Sequence, residues 1–102
     1  MIRLQNYLFS KTQPIVIKFF TKPICSLCLE AKEDLYPILD EIGTDKFLVK
    51  EINIDLEENK EYYDKFKFDI PVAMIDNQVL FKHRVNDLDK LFYDLESKLK
   101  PK

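Results

Sequence analysis

The stretch Ile15-Val16-Ile17-Lys18-Phe19-Phe20, followed by Thr21-Lys22-Pro23-Ile24-Cys25-Ser26-Leu27-Cys28, decides how this chain is read. The first six residues are β-branched or aromatic apart from Lys18, a short run that reads as a buried strand. Thr21–Ile24 reads as a loop, because Pro23 cannot extend a strand ladder. From Cys25 onward the period changes. Leu27, Ala31, Leu35, Ile38, Leu39 and Ile42 recur at the three-to-four spacing of one helix face, and Glu30, Glu33, Asp34 and Asp40 fall mostly on the other. Gly43, the chain's one glycine, stands where a left-handed C-cap is expected. Pro37 cannot donate to the Glu33 carbonyl and predicts a kink. Two cysteines three residues apart therefore sit where a strand gives way to a helix.

Outward from this junction, Phe47–Asp55 alternates as a second strand, and a slip in the alternation at Lys50-Glu51 predicts a bulge. Glu57–Phe66 is polar, with Tyr62, Tyr63 and Phe66 at helical spacing, and reads as a short helix. Val72–Ile75 and Val79–Phe81 flank the turn signal Asp76-Asn77 and predict a hairpin. Asn86 or Asp87 caps a last helix with the face Leu88, Leu91, Phe92, Leu95 and Leu99. The order is β-α-β-α-β-β-α. Two strands joined through a helix pair in parallel with a right-handed crossover, and the hairpin is antiparallel. The expected fold class is α/β, a four-stranded mixed sheet with helices on both faces.

The chain has 102 residues, enough for one domain and too few for a second core. Residues 1–14 read as an N-terminal extension closed by Thr12–Pro14, and residues 15–102 as the domain. With 46% hydrophobic and 33% charged residues, the composition is that of a folded globular protein. A net charge of -2 gives no basic field of the kind nucleic-acid binding requires. No apolar run approaches the roughly 20 residues that span a bilayer, and no secretory signal is evident near Met1. The expectation is a monomer without membrane or nucleic-acid partners, in the cytoplasm. The first acidic residue is Glu30, while Arg3, Lys11, Lys18 and Lys22 precede it. This asymmetry keeps a mitochondrial location open as the alternative.

Two nearby cysteines in such a chain suggest redox chemistry or metal binding rather than a disulfide framework. At a helix N-terminus, unpaired backbone N–H groups and the positive end of the helix dipole favour a thiolate at Cys25. One turn further in, Cys28 is placed to resolve a mixed disulfide. Other readings remain. A structural disulfide would close a loop too small to constrain the unfolded chain much. An intrachain zinc site would need a carboxylate besides Cys25, Cys28 and His83. Reduced core cysteines without a role, and metal shared between two chains, complete the alternatives.

The strand–helix placement of the CxxC, with Ile70-Pro71 opening the third strand, resembles the thioredoxin superfamily. The segment Thr21 to Cys28, with Lys22 three positions before the first cysteine, is similar to the glutaredoxin active-site segment. Asp69-Ile70-Pro71-Val72, with His83-Arg84-Val85 downstream, resembles a divergent branch of small glutaredoxin-like proteins. The resemblance spans roughly Ile15 to Leu99 and implies a thioredoxin-like, glutaredoxin-type fold. It implies a thiol–disulfide oxidoreductase with Cys25 and Cys28 as catalytic pair and no tightly bound cofactor. It further implies that Pro71 is cis and lies against the CxxC, that Ile70 offers backbone groups to an extended substrate, and that Lys22 sets a cation near thiolate and glutathione. A trans proline on an edge strand and a solvated loop lysine are the plainer readings of Pro71 and Lys22.

The departures from that pattern are specific. Ser26-Leu27 stand between the cysteines where glutaredoxins commonly carry Pro-Tyr or Pro-Phe. His83-Arg84-Val85 occupies the region of a Gly-Gly pair at which backbone approaches glutathione closely. Asn86 and Asp87 can accept a ligand's amine or simply cap the helix. His83 reads as a proton shuttle or as incidental, and Lys82, His83 and Arg84 as a small basic patch or a solvated stretch. The expected partners are a disulfide-containing protein or a glutathione mixed disulfide, with glutathione as co-substrate. Two further functions stay open: iron–sulfur or metal handling through Cys25 in a dimer, and a thioredoxin-fold binding module without turnover.

Overall fold

A computed structural model of the chain describes residues 13–100. Most of the N-terminal extension, residues 1–12, lies outside the described residues, as do 101–102. The elements are β1 (Ile15–Thr21), α1 (Ser26–Ile42), β2 (Phe47–Asn53), a 3-10 turn (Glu57–Asn59), α2 (Lys60–Phe66), β3 (Val72–Ile75), β4 (Gln78–Lys82) and α3 (Leu88–Lys98). They form a four-stranded sheet in the order β2-β1-β3-β4. β1 pairs in parallel with β2 from Ile15↔Phe47 to Thr21↔Asn53, and antiparallel with β3 from Lys18↔Met74 to Phe20↔Val72. β3 and β4 form the antiparallel hairpin.

The alternation of side chains along β1 explains the layers. Phe20 packs against Tyr62 and Phe66, with ring centroids 4.8 and 4.6 Å away, so α2 covers its face of the sheet. Ile17 and Phe19 point the other way and are fully buried, in one core with Ala31, Leu35, Leu91 and Leu95 of α1 and α3. α2 has only seven residues, which is why Val16, at the far end of the Phe20 face, stays exposed.

Several local expectations are corrected. The parallel β1–β2 register is regular through Lys50 and Glu51, and the irregularity falls between Ala73 and Met74 instead. β2 ends at Asn53, whose side-chain oxygen accepts from the Asp55 N–H at 2.9 Å. A side chain that captures its own backbone two residues on starts a turn and stops a strand. Pro37 lies inside α1, whose helical run is unbroken from Ser26 to Ile42, as that of a helix bending at a proline also is. Gly43 does cap α1, its N–H donating to the Leu39 carbonyl, but at φ 144° and ψ 120° rather than in the compact left-handed helical region. Leu88 and Leu99, at the ends of α3, are exposed, and Leu91 and Leu95 carry its buried face.

Candidate functional site

Both ends of the CxxC are fixed by the start of α1. Cys25 is the N-cap, with extended backbone at φ -154° and ψ 100°. Its carbonyl accepts the first helical bond from the Leu29 N–H at 3.2 Å, and its Sγ accepts from the Cys28 N–H at 3.1 Å. A sulfur thus does what the oxygen of a Ser or Asp cap usually does. The Cα atoms of Cys25 and Cys28 are 5.2 Å apart, within reach of a disulfide, and the two are joined by one. Cys25 is half-buried, whereas Cys28 is only 2% exposed, beneath the first turn.

The strand register carries the third element to this place. Continuing the β1–β3 pairing one step past Phe20↔Val72 sets Pro71 beside Thr21, at the end of β1 where the chain turns toward Cys25. The Ile70-Pro71 bond is cis, and both residues are buried. The Pro71 carbonyl accepts from the His83 N–H at 2.8 Å. His83 has φ 67° and forms the centre of a tight turn in which the Arg84 N–H donates to the Lys82 carbonyl at 2.7 Å. A histidine therefore takes the positive φ that a glycine would adopt with less strain, and histidine is among the residues that do so more readily.

Two depressions open at this end of the sheet. The first, about 290 Å³, is lined by Lys22, Cys25 and Cys28 together with Pro23, Leu29, Lys32, Glu51 and Asn53. The second, about 200 Å³, is lined by Asn86 and Asp87 with Lys82, Arg84, Val85 and Lys90. Of the residues expected at the site, Lys22 shares the cleft of the cysteines, Asn86 and Asp87 line the other depression, and Ile70 and Pro71 line neither. Asp87, not Asn86, caps α3, its Oδ1 accepting from the Lys90 N–H at 3.0 Å. His83 and Lys82 face Asp69 at 3.8 and 3.9 Å. Among the described residues, no cluster of three or more His, Cys, Asp or Glu is gathered to hold a metal. No helix among them is long and apolar enough to cross a membrane.

Sequence reading missed the far wall of the cysteine cleft. Lys32 Nζ contacts Glu51 Oε1 at 3.1 Å, and the Tyr36 hydroxyl donates to Glu51 Oε2 at 3.5 Å. Burial, then the charge of Glu51 and the hydrogen bond to it, push the Tyr36 hydroxyl up from its ordinary ionisation range. Lys32 was findable in principle, one helical turn beyond Cys28. Glu51 was not, because only the β1–β2 register, which sets it opposite Phe19, brings it here.

The fold is shared with thioredoxins. The germline thioredoxin Deadhead of Drosophila melanogaster aligns over 98% of this chain and 94% of its own, with TM-score 0.51 at 20% identity. A mutant thioredoxin of Halobacterium salinarum aligns over 100% of this chain and 88% of its own, with TM-score 0.51 at 20% identity. A glutaredoxin-like protein of Dictyostelium discoideum is 55% identical over 87 residues, covering 84% of this chain and 80% of the relative. The family model for the glutaredoxin-like domain (DUF836) matches residues 16–96, the whole span from β1 into α3, with both cysteines inside it. The chain belongs to the glutaredoxin-like domain family, built on a thioredoxin fold with a disulfide-competent CxxC at the first helix.

Proposed function

We propose that this protein is a dithiol thiol–disulfide oxidoreductase acting on protein disulfides or glutathione mixed disulfides. The observation that carries the reading is the asymmetry of the pair: Cys25 caps the helix and is half-buried, and Cys28 is covered one turn further in. In the reduced protein, helix N-terminal N–H groups favour the thiolate of Cys25. That thiolate attacks a substrate disulfide, forming a mixed disulfide and expelling one substrate thiolate. Cys28 then loses its proton and attacks the Cys25 sulfur, releasing the second thiolate and closing Cys25–Cys28. Two electrons pass to the substrate, and a thiol reductant such as glutathione restores the dithiol. Beside Pro71 the Ile70 carbonyl offers an acceptor to an extended substrate, while the Ile70 N–H already donates to the Phe66 carbonyl at 3.1 Å. Lys22 supplies a cation near the leaving thiolate, and Asn86 and Asp87 offer polar acceptors farther along.

The test is equilibration of the pair with dithiothreitol and glutathione redox buffers, read by mass after thiol alkylation, followed by turnover on a disulfide substrate. The expected result is reversible two-electron titration and turnover that depends on Cys25. A pair that neither reduces under these buffers nor turns over any disulfide would end the reading.

A further inference from the structure

The cysteine cleft does not stop at Glu51. Through Leu29, Lys32 and Glu51 it continues into an open trough of about 520 Å³ along the outer side of α1, where Glu33, Tyr36 and Pro37 complete the lining. Three properties of the trough suit extended polypeptide. Its walls are apolar: Leu29 is 59% and Tyr36 38% exposed, on a helix whose opposite face already fills the core. The charges at its threshold, Lys32 and Glu51, neutralise each other at 3.1 Å. Pro37 has no N–H to give, so the Glu33 carbonyl lacks its usual helical donor on this stretch of the wall.

Length selects the class of occupant. Tyr36 lies eleven positions beyond Cys25, about 16 Å at the helical rise of about 1.5 Å per residue. An extended chain advances about 3.3–3.6 Å per residue and needs about five residues to cover that distance. A tripeptide with its cysteine in the middle reaches about half as far at most. We propose that the trough receives the extended chain of a protein disulfide substrate, and that it seats an apolar side chain about four to six residues from the substrate cysteine between Leu29, Tyr36 and Pro37. This rests on the oxidoreductase reading and narrows it: the selected substrates are polypeptides with an apolar residue at that spacing, and glutathione disulfide leaves the trough empty.

Two measurements test this, one of which needs no turnover. The first compares reduction of two peptide mixed disulfides, one with leucine five residues to each side of the cysteine and one with serine there. The leucine peptide is expected to show about tenfold higher kcat/KM, and Tyr36→Ser is expected to cut that advantage to about twofold or less. The second titrates the oxidised wild-type protein with the leucine peptide carrying serine for its cysteine. Amide shift changes are expected at Leu29, Lys32 and Tyr36. Equal rates on the two peptides with no shifts along α1 would overturn the trough and leave the oxidoreductase reading intact. Shifts along α1 with no reduction of any disulfide would support the trough as a polypeptide site and overturn the oxidoreductase reading.

Discussion

The backbone N–H of Cys28 points at Sγ of Cys25, 3.1 Å away, so the sulfur at the helix N-cap is held by the residue it is bonded to. Once the disulfide opens, the same N–H favours negative charge on Cys25, and Cys28 remains under the first turn. The division of labour follows from that difference in access. Cys25→Ser is expected to abolish mixed-disulfide formation with a glutathionylated or protein substrate. Cys28→Ser is expected to accumulate the mixed disulfide instead, as an added mass on Cys25. An adduct on Cys28 in the Cys25→Ser protein would reverse the assignment.

Asp87 anchors the start of α3 by accepting the Lys90 N–H at 3.0 Å. Asp87→Ala leaves that donor to water and is expected to lower unfolding free energy by about 0.5–2 kcal/mol in urea titration. Asp87→Asn keeps an acceptor in place and is expected to recover most of the loss. A full loss in the Asn variant would point to the charge rather than the cap.

Gly43 ends α1 at φ 144°, and a Cβ built there would meet Lys46 Cγ at 3.0 Å. The lysine stem can shift, but the backbone angle is one that L side chains rarely adopt. Gly43→Ala is expected to cost about 1–3 kcal/mol of stability. It is expected to leave the redox titration of the cysteines unchanged, since Gly43 lies at the opposite end of the helix. A neutral effect on stability would mean that the loop 43–46 relaxes to another conformation.

How far the sequence could be read is clear from particular residues. The apolar run at Ile15–Phe20 and the helical spacing from Leu27 to Ile42 are strong periodic signals, and they found β1 and α1 to within a residue or two. The CxxC was legible because both cysteines lie in a single turn. Features decided by pairing between strands were not. The irregularity belongs to Ala73/Met74, which no alternation in the chain announces, and the predicted slip at Lys50-Glu51 is absorbed by a regular parallel register. Glu51 is the sharpest case. Its place opposite Lys32 and Tyr36 depends on how β2 lies against β1 and α1, just as the antiparallel β1–β3 pairing, not the local sequence, places Pro71 beside Thr21.

Tyr36 provides the pH signature of that wall. Burial first, then Glu51, raise its hydroxyl above the ordinary value of 10.0. In the unfolded chain the phenol ionises at about 10. The neutral phenol is the form the fold favours, so its stabilising contribution is complete below about pH 10 and is lost as pH rises through the higher folded value. The expected result in a carbon-13 NMR titration of labelled tyrosine is that Tyr36 ionises above pH 10.0. Glu51→Gln is expected to move it part of the way back, because the burial contribution remains. An unmoved titration in the Gln variant would show that Glu51 does not act on the phenol.

Glutathione recognition is the property that the separation of the two depressions affects most. Lys22 stands in the cleft of the cysteines, whereas Asn86 and Asp87 line a depression with Lys82 and Arg84. His83 takes up the positive φ with its exposed side chain facing Asp69 at 3.8 Å, in the segment where the resemblance to glutaredoxins implies bare backbone. The expected outcome is weak but detectable binding of reduced glutathione and low activity in a glutathione-coupled disulfide assay. Lys22 is exposed and screened by solvent. Lys22→Ala is therefore expected to weaken binding by about 1 kcal/mol or less, an effect that shrinks as salt is raised. Shift mapping on the reduced protein and on the trapped Cys28→Ser mixed disulfide is expected to mark Lys22, Ile70 and Asn86–Asp87 together. Strong glutathione-coupled turnover would show that the side chain of His83 turns aside and leaves the backbone open. Shifts confined to Lys22 and the cysteines would show that the second depression serves a different ligand.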